Sequence, residues 1–197
     1  MKKITLVLLS LMVAINLSAQ KPQGYEKTLE GFANIGMGDI SNTSFGVAMI
    51  NGYRFSDLLF VGVGVGVGYA NEIWSVEEVN NKYIDIKKGE SYPVPIFVKG
   101  KYSFSTNDIT PYVSASIGYT LDINEYIKDA PGLMIEPAFG VEFVINEKQF
   151  AYIQLGLNFQ HGDYYYEKDV YDILGDWEIG IKEDMFKAIS FRVGFSF

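Results

Sequence analysis

From Leu29 to Phe197 the chain alternates apolar and polar residues with a period of two, in stretch after stretch. Successive side chains on a strand point to opposite faces, so this period predicts strands with one apolar and one polar face. The clearest stretch sets Val61, Val63, Val65, Val67 and Tyr69 against Gly62, Gly64, Gly66 and Gly68. Five others follow the same rule, around 94–104, 113–121, 133–143, 151–159 and 189–197. Two earlier stretches, 29–38 and 44–54, are less regular. Phe32 interrupts the polar face of the first, and Asn51 falls on the apolar face of the second. A bulge or a position near a membrane interface would account for Asn51. No window keeps apolar residues at i, i+3 and i+4 for long, so no helix is expected after the N-terminal segment.

The expectation is therefore eight strands of about ten residues, the length at which a tilted strand crosses a bilayer. Short turns are predicted at Ser56–Leu58, Ser105–Ile109 and Asn146–Lys148. Opposite them lie long loops, Glu72–Ser91, Asp122–Gly132 and His161–Asp184, together with the shorter Asp39–Thr43. An even strand number with short turns on one rim and long loops on the other describes an up-and-down antiparallel barrel of the outer-membrane kind. The face holding Gly, Ser, Asn and the charges would point inward, and the aliphatic and aromatic face outward. A soluble periplasmic barrel for an apolar ligand would be built the other way round, and stands as an alternative. The final stretch runs to Phe197 with no polar tail, as suits a strand that closes on the first.

Composition narrows the chemistry. The 197 residues include no Cys and one His. Disulfide frameworks, thiol nucleophiles and multi-His metal centres are thereby excluded. The net charge of -8 argues against nucleic acid as a partner, because phosphate binding requires a surplus of Lys and Arg. At the N-terminus, Lys2 and Lys3 precede an apolar run from Ile4 to Leu17, then Ser18 and Ala19. This has the form of a signal peptide over residues 1–19, cleaved after Ala19. Its loss takes the charge from -8 to -10, two lysines fewer. A short segment, 20–28, would then lead into a barrel domain over 29–197.

The signal peptide, the eight alternating strands and the terminal Phe197 together resemble small outer-membrane β-barrel proteins of Gram-negative bacteria, of the OmpA-type and OmpX-type. The resemblance implies an eight-stranded transmembrane barrel in the outer membrane, in contact with lipid. It implies that the barrel-insertion machinery is a partner during biogenesis, with Phe191, Val193, Phe195 and Phe197 forming the C-terminal insertion signal. Nothing follows Phe197, so the peptidoglycan-binding domain carried by some OmpA-type proteins is not expected.

Three features suggest chemistry. Val61–Gly68 lacks the glycine spacing of a dinucleotide loop and reads as a strand whose bare inner face makes room for Phe97, Lys99 and Lys101. His161 and Asp163 lie at the start of the last loop, but no nucleophile is marked by spacing. Third, Glu30, Arg54, Lys99, Lys101, Glu136, Glu142 and Arg192 all fall on the inward face. An eight-stranded barrel is just wide enough for side chains to fill, so these charges are expected to pair as a plug. Glu142 is expected to be shared between Arg192 and a lysine. In the loops, Trp74, Tyr83, Tyr171 and Trp177 are candidates for contact with an extracellular ligand or surface partner. Tyr164–Tyr166 are expected in an interfacial girdle. The loop carboxylates show no ordered calcium-loop pattern. The expected function is a non-catalytic outer-membrane barrel with no cofactor, metal or catalytic residues. A narrow pore or small-ligand transporter and a loop-based barrel enzyme are the membrane alternatives.

Overall fold

The computed structural model describes the backbone of residues 23–37, 43–79, 83–123, 132–146, 149–168 and 178–197, and side chains within these except at 71–89, 122 and 162–184. The expected signal peptide, Tyr171 and Trp177 lie outside the described residues. The strands are β1 (Gly24–Met37), β2 (Thr43–Arg54), β3 (Leu59–Val79), β4 (Tyr83–Ser91), β5 (Pro93–Ser103), β6 (Ile109–Asp122), β7 (Leu133–Asn146), β8 (Gln149–Lys168) and β9 (Glu178–Ser196). Every pairing is antiparallel, and the ring β1–β2–β3–β5–β6–β7–β8–β9 closes on itself. That is an eight-stranded barrel. The ninth segment, β4, pairs with β3 above the barrel.

Closure is made by β1 and β9, from Thr28 opposite Ser196 to Met37 opposite Lys187. The Thr28 and Ser196 hydroxyls share a 2.7 Å hydrogen bond inside the barrel. Lys27 and Phe197 exchange backbone hydrogen bonds of 3.2 and 2.8 Å beyond them. No sheet edge is left within the barrel wall, which is what a bilayer demands.

Two expectations about boundaries are corrected. β1 begins at Gly24 rather than Leu29, so Glu26 and Thr28 belong to the barrel and face inward. The stretches 72–91 and 161–184 are not loops throughout. β3 and β4 pair from Ala70–Ser91 to Val79–Tyr83, and β8 and β9 pair from Phe150–Ser196 up to Lys168–Glu178. A ribbon that rises above a barrel has no core side, so its apolar alternation fades while its backbone pairing persists. Tyr164–Tyr166 accordingly sit in this ribbon, past the last β7 pairing of Met134 with Gln160, and not at the barrel rim where a girdle would form.

Side chains follow the two-residue period. Val65, Ile117 and Leu155, each more than half exposed, point outward. Aromatics cluster toward both ends of this outer face. Tyr69 contacts both Phe45 and Tyr92 on the long-connection side, with ring centroids 5.4 and 5.8 Å apart. Tyr53 and Phe55, and Tyr102 and Phe104, pair on the short-turn side. Asn51 also faces outward there, accepting a 2.9 Å hydrogen bond from Tyr25. Neither of the ladders flanking β2 shifts register, so the rim position and not a bulge explains Asn51.

The wall is interrupted once between β3 and its partner. The β3–β5 ladder stops at Val65 opposite Ile96, and β3–β4 resumes at Ala70 opposite Ser91 in the same register. Pro93 and Pro95 lie in the gap and have no N–H to donate. Their rings rest against Gly68 and Gly66, where an added Cβ would come within 3.1 and 3.2 Å of proline Cγ.

Candidate functional site

The barrel interior is the most highly organised part of the molecule. Alternation on β1 sends Glu26, Thr28, Glu30 and Phe32 inward, and on β5 Phe97, Lys99, Lys101 and Ser103. β7 contributes Glu136 and Glu142, β8 Tyr152 and Gln154, β9 Arg192, and β2 Arg54. Among the described residues the buried charges are four cations, Arg54, Lys99, Lys101 and Arg192, and four anions, Glu26, Glu30, Glu136 and Glu142.

They form two linked groups. In the upper group Arg192 bridges two carboxylates. Its Nε and Nη2 grip Glu136 in a two-pronged contact, Nε at 2.5 Å, and Nη1 reaches Glu30 at 2.5 Å. Lys99 donates to the other Glu30 oxygen at 2.5 Å, and the Tyr152 hydroxyl donates to the same oxygen. Glu136 also accepts from Gln154 and Asn158, both at 3.2 Å. The Gln154 carbonyl in turn accepts from Ser114 at 3.0 Å and Tyr112 at 3.3 Å. In the lower group, nearer the short turns, Lys101 pairs with Glu142, and Arg54 holds Glu26 through Nε at 2.9 Å and Nη2 at 2.8 Å. Arg54 Nη2 lies 3.5 Å from Glu142, and Lys101 lies 3.9 Å from Glu26. Burying an ion is tolerable only when paired and hydrogen-bonded in this way.

Aromatic rings pack the space between. Arg192 stacks on Phe32 and Phe97, at 5.4 and 5.7 Å from their centroids. Lys101 is ringed by Phe60, Tyr112 and Tyr152 at 5.3 to 5.5 Å. These contacts add cation–π attraction in a region of low dielectric. The rings find room over glycines. Tyr152 covers Gly194 and Tyr112 covers Gly140, where an added Cβ would meet the Tyr112 Cζ at 2.5 Å. Phe60 covers Gly52 and Gly62 at 2.5 and 2.8 Å, and Phe97 covers Gly64. The bare inner face of β3 is thus the socket for Phe60 and Phe97. Phe32, an irregularity in the alternation, is an interior residue seated over Gly46 and Gly68.

All seven charges read from the sequence lie in this network, but one pairing differs from expectation. Glu142 meets Lys101 and Arg54, whereas Arg192 goes to Glu30 and Glu136. The Tyr152 ring, rather than the ladder level, explains it. Glu142 is level with Tyr152 and, beyond it, Gly194, while Arg192 is level with Gln154. The Tyr152 ring occupies the space over Gly194, on the line between Glu142 and β9. Glu26 was missed by starting the barrel at Leu29. Carrying the alternation back through Thr28 would have found it, as would the imbalance of four cations against three anions.

The remaining candidates lie elsewhere. Phe191, Val193, Phe195 and Phe197 are exposed on the outer face, with the last two rings stacked at 6.2 Å. Trp74 is placed by its backbone opposite Lys88, and Tyr83 opposite Val79, in the β3–β4 ribbon. His161 is exposed on β8 opposite Met185, and its carbonyl accepts a 2.6 Å hydrogen bond from Gly132.

Neither a protein-family model nor a curated protein sequence matches the chain. Solved structures do match. Neisserial surface protein A is 14% identical with a TM-score of 0.54, covering 88% of this chain and 96% of its own. The outer membrane protein OprG from Pseudomonas aeruginosa is 11% identical with a TM-score of 0.55, covering 91% of this chain and 98% of its own. The chain has the fold of the small outer-membrane β-barrels, as the resemblance in its sequence implied.

Proposed function

We propose that this barrel is a non-catalytic integral protein of a Gram-negative outer membrane, closed to solute flow and acting through the ribbons that rise above its rim. One observation carries the reading: among the described residues eight buried charges, four of each sign, are paired across the interior and wedged by aromatic rings. A conducting lumen needs a continuous file of water. Here the cross-section is filled by side chains whose separation would leave charges unpaired in low dielectric. The arrangement of faces, charged inside and apolar outside, supports membrane lipid as the surrounding solvent over a soluble apolar-ligand barrel. The short turns would face the periplasm, and the β3–β4 and β8–β9 ribbons the exterior. Trp74, Tyr83, Tyr171 and Trp177 would serve there as contact residues for a ligand or surface partner. His161 and Asp163 are given no catalytic role.

The test is single-channel recording of the folded mature chain in planar bilayers. No discrete conductance steps are expected from the native protein. Stable steps from a protein verified as folded by its heat-modifiable gel shift would replace this reading with the narrow pore.

A further inference from the structure

Two ribbons rise above the barrel, and they are joined to it differently. β8 and β9 pair without a register shift from Phe150 opposite Ser196 to Lys168 opposite Glu178, so that ribbon is the barrel wall continued upward. β3 reaches its ribbon through a seam. Its ladder with β5 ends at Val65 opposite Ile96, and residues 66–69 then run past residues 92–95 without ladder pairing, until Ala70 meets Ser91. A bulge follows at once: β3 takes three steps from Ala70 to Ile73 while β4 takes two from Ser91 to Gly89.

The seam follows from backbone direction. The Ser103 N–H donates to the Leu58 carbonyl at 2.8 Å, whereas the Phe104 N–H donates to Pro111 and the Tyr92 carbonyl accepts from Ile123. Odd-numbered residues of β5 therefore turn their backbone groups to β3, and even-numbered ones to β6. Pro93 and Pro95 are both odd. The N–H groups they lack are those that the Gly68 and Gly66 carbonyls would accept in this register. The β5–β6 ladder is untouched and runs to Pro93 opposite Asp122, and β3 stays paired with β2 up to Asn71 opposite Thr43. What spans the seam is side-chain contact. Tyr69 and Tyr92 meet on the outside, with ring centroids 5.8 Å apart, and the proline rings lie against Gly66 and Gly68.

A hydrogen-bonded ladder fixes two strands in one register, whereas side-chain contacts alone let them slide and bend. Glycine at 66 and 68 and the bulge at 70–73 supply the backbone freedom that a pivot requires. We propose that the β3–β4 ribbon is a hinged flap that pivots on the seam between residues 66–69 and 92–95, while the β8–β9 ribbon is a fixed post. Trp74 and Tyr83 belong to the flap, so it is the ribbon able to close on a partner at the loop-side rim. The hinge is a property of the fold and operates with no partner bound.

The experiment places pairs of nitroxide labels on the folded mature chain in lipid nanodiscs, each on an introduced cysteine, since the chain has none of its own. Ser75→Cys on the flap is paired with His161→Cys across the barrel mouth, and Glu167→Cys on the post with Thr43→Cys. Pulsed electron double resonance should give a distance distribution for the flap about twofold wider than that for the post. Pro93→Val/Pro95→Val returns both N–H donors, and should narrow the flap distribution to that of the post without changing the post. Two narrow distributions before the proline changes would overturn the hinge. Two broad ones would show that any ribbon above the barrel moves, and would overturn the seam as the cause. A flap that stays broad in the valine variant, verified as folded by its heat-modifiable gel shift, would overturn it too. Should the double variant not fold, Pro93→Val alone restores one donor and is read in the same way.

Discussion

Arg54 and Glu26 meet at 2.8 Å inside the barrel, joining the last inward residue of β2 to the first inward carboxylate of β1. Among the described residues Arg54 otherwise has only Glu142, at 3.5 Å, as a carboxylate neighbour. Glu26→Ala should therefore destabilise the barrel, by up to about 3–5 kcal/mol if water stays out. The double variant Glu26→Ala/Arg54→Ala should lose less than the two single losses together. Urea unfolding in lipid vesicles measures all three. Additive losses would show that the pair contributes no coupling.

The same method separates the two groups of charges. Glu136 and Arg192 share a two-pronged contact, so their double variant should be strongly non-additive. Glu142 and Arg192 make no direct pair, and their losses should come closer to simple addition. Equal coupling for both combinations would mean that the network behaves as one undivided cluster.

The fold was legible because a barrel wall enforces its period on the sequence. Each of Val61, Val63 and Val65 must face outward, and each of Gly62, Gly64 and Gly66 inward, so the pattern is written residue by residue. The identity of the inner charges was legible for the same reason. Their partners were not, since pairing across a lumen depends on strand stagger. Arg192 passes over Glu142, one inward level away, for Glu136, two levels away, because the Tyr152 ring stands over Gly194, and Glu142 is left to Lys101. The ribbons were illegible because the two-residue alternation fades there while the backbone pairing of β8 and β9 continues.

Glycine positions under the aromatic rings should be intolerant of any side chain. Gly140→Ala would place a methyl group 2.5 Å from the Tyr112 ring, and overpacking of this kind costs about 1–3 kcal/mol. Gly100→Ala, with nothing within 4 Å of its new Cβ, should be close to neutral. Midpoints of urea unfolding compare them directly. A neutral Gly140→Ala would show that the Tyr112 ring moves aside without penalty.

Inside and outside can be told apart by charge. Leu155 is 60% exposed at mid-wall, and Leu155→Arg should cost about 2–4 kcal/mol in a bilayer. Leu155→Phe keeps the surface apolar and should fold in normal yield. If Leu155→Arg inserts into vesicles as well as Leu155→Phe, the outer face is not lipid-facing.

Orientation has a direct test, because the chain contains no cysteine and any introduced thiol reports alone. Asp57 sits in the turn between β2 and β3, and His161 on the opposite rim near the start of the β8–β9 ribbon. Both sites can be changed to cysteine at little structural cost. His161 is exposed, and Asp57 makes no ion pair among the described residues. In intact Gram-negative host cells, a membrane-impermeant maleimide should label His161→Cys and spare Asp57→Cys until the outer membrane is opened. The reasoning is geometric. The ribbons extend past the barrel by many residues, and translocated polar ribbons are characteristic of the exterior rim, whereas short turns are left on the periplasmic side. Labelling of Asp57→Cys alone would invert the barrel in the membrane. The proposed contact residues Trp74 and Tyr83 would then face the periplasm, and any partner would have to be sought there.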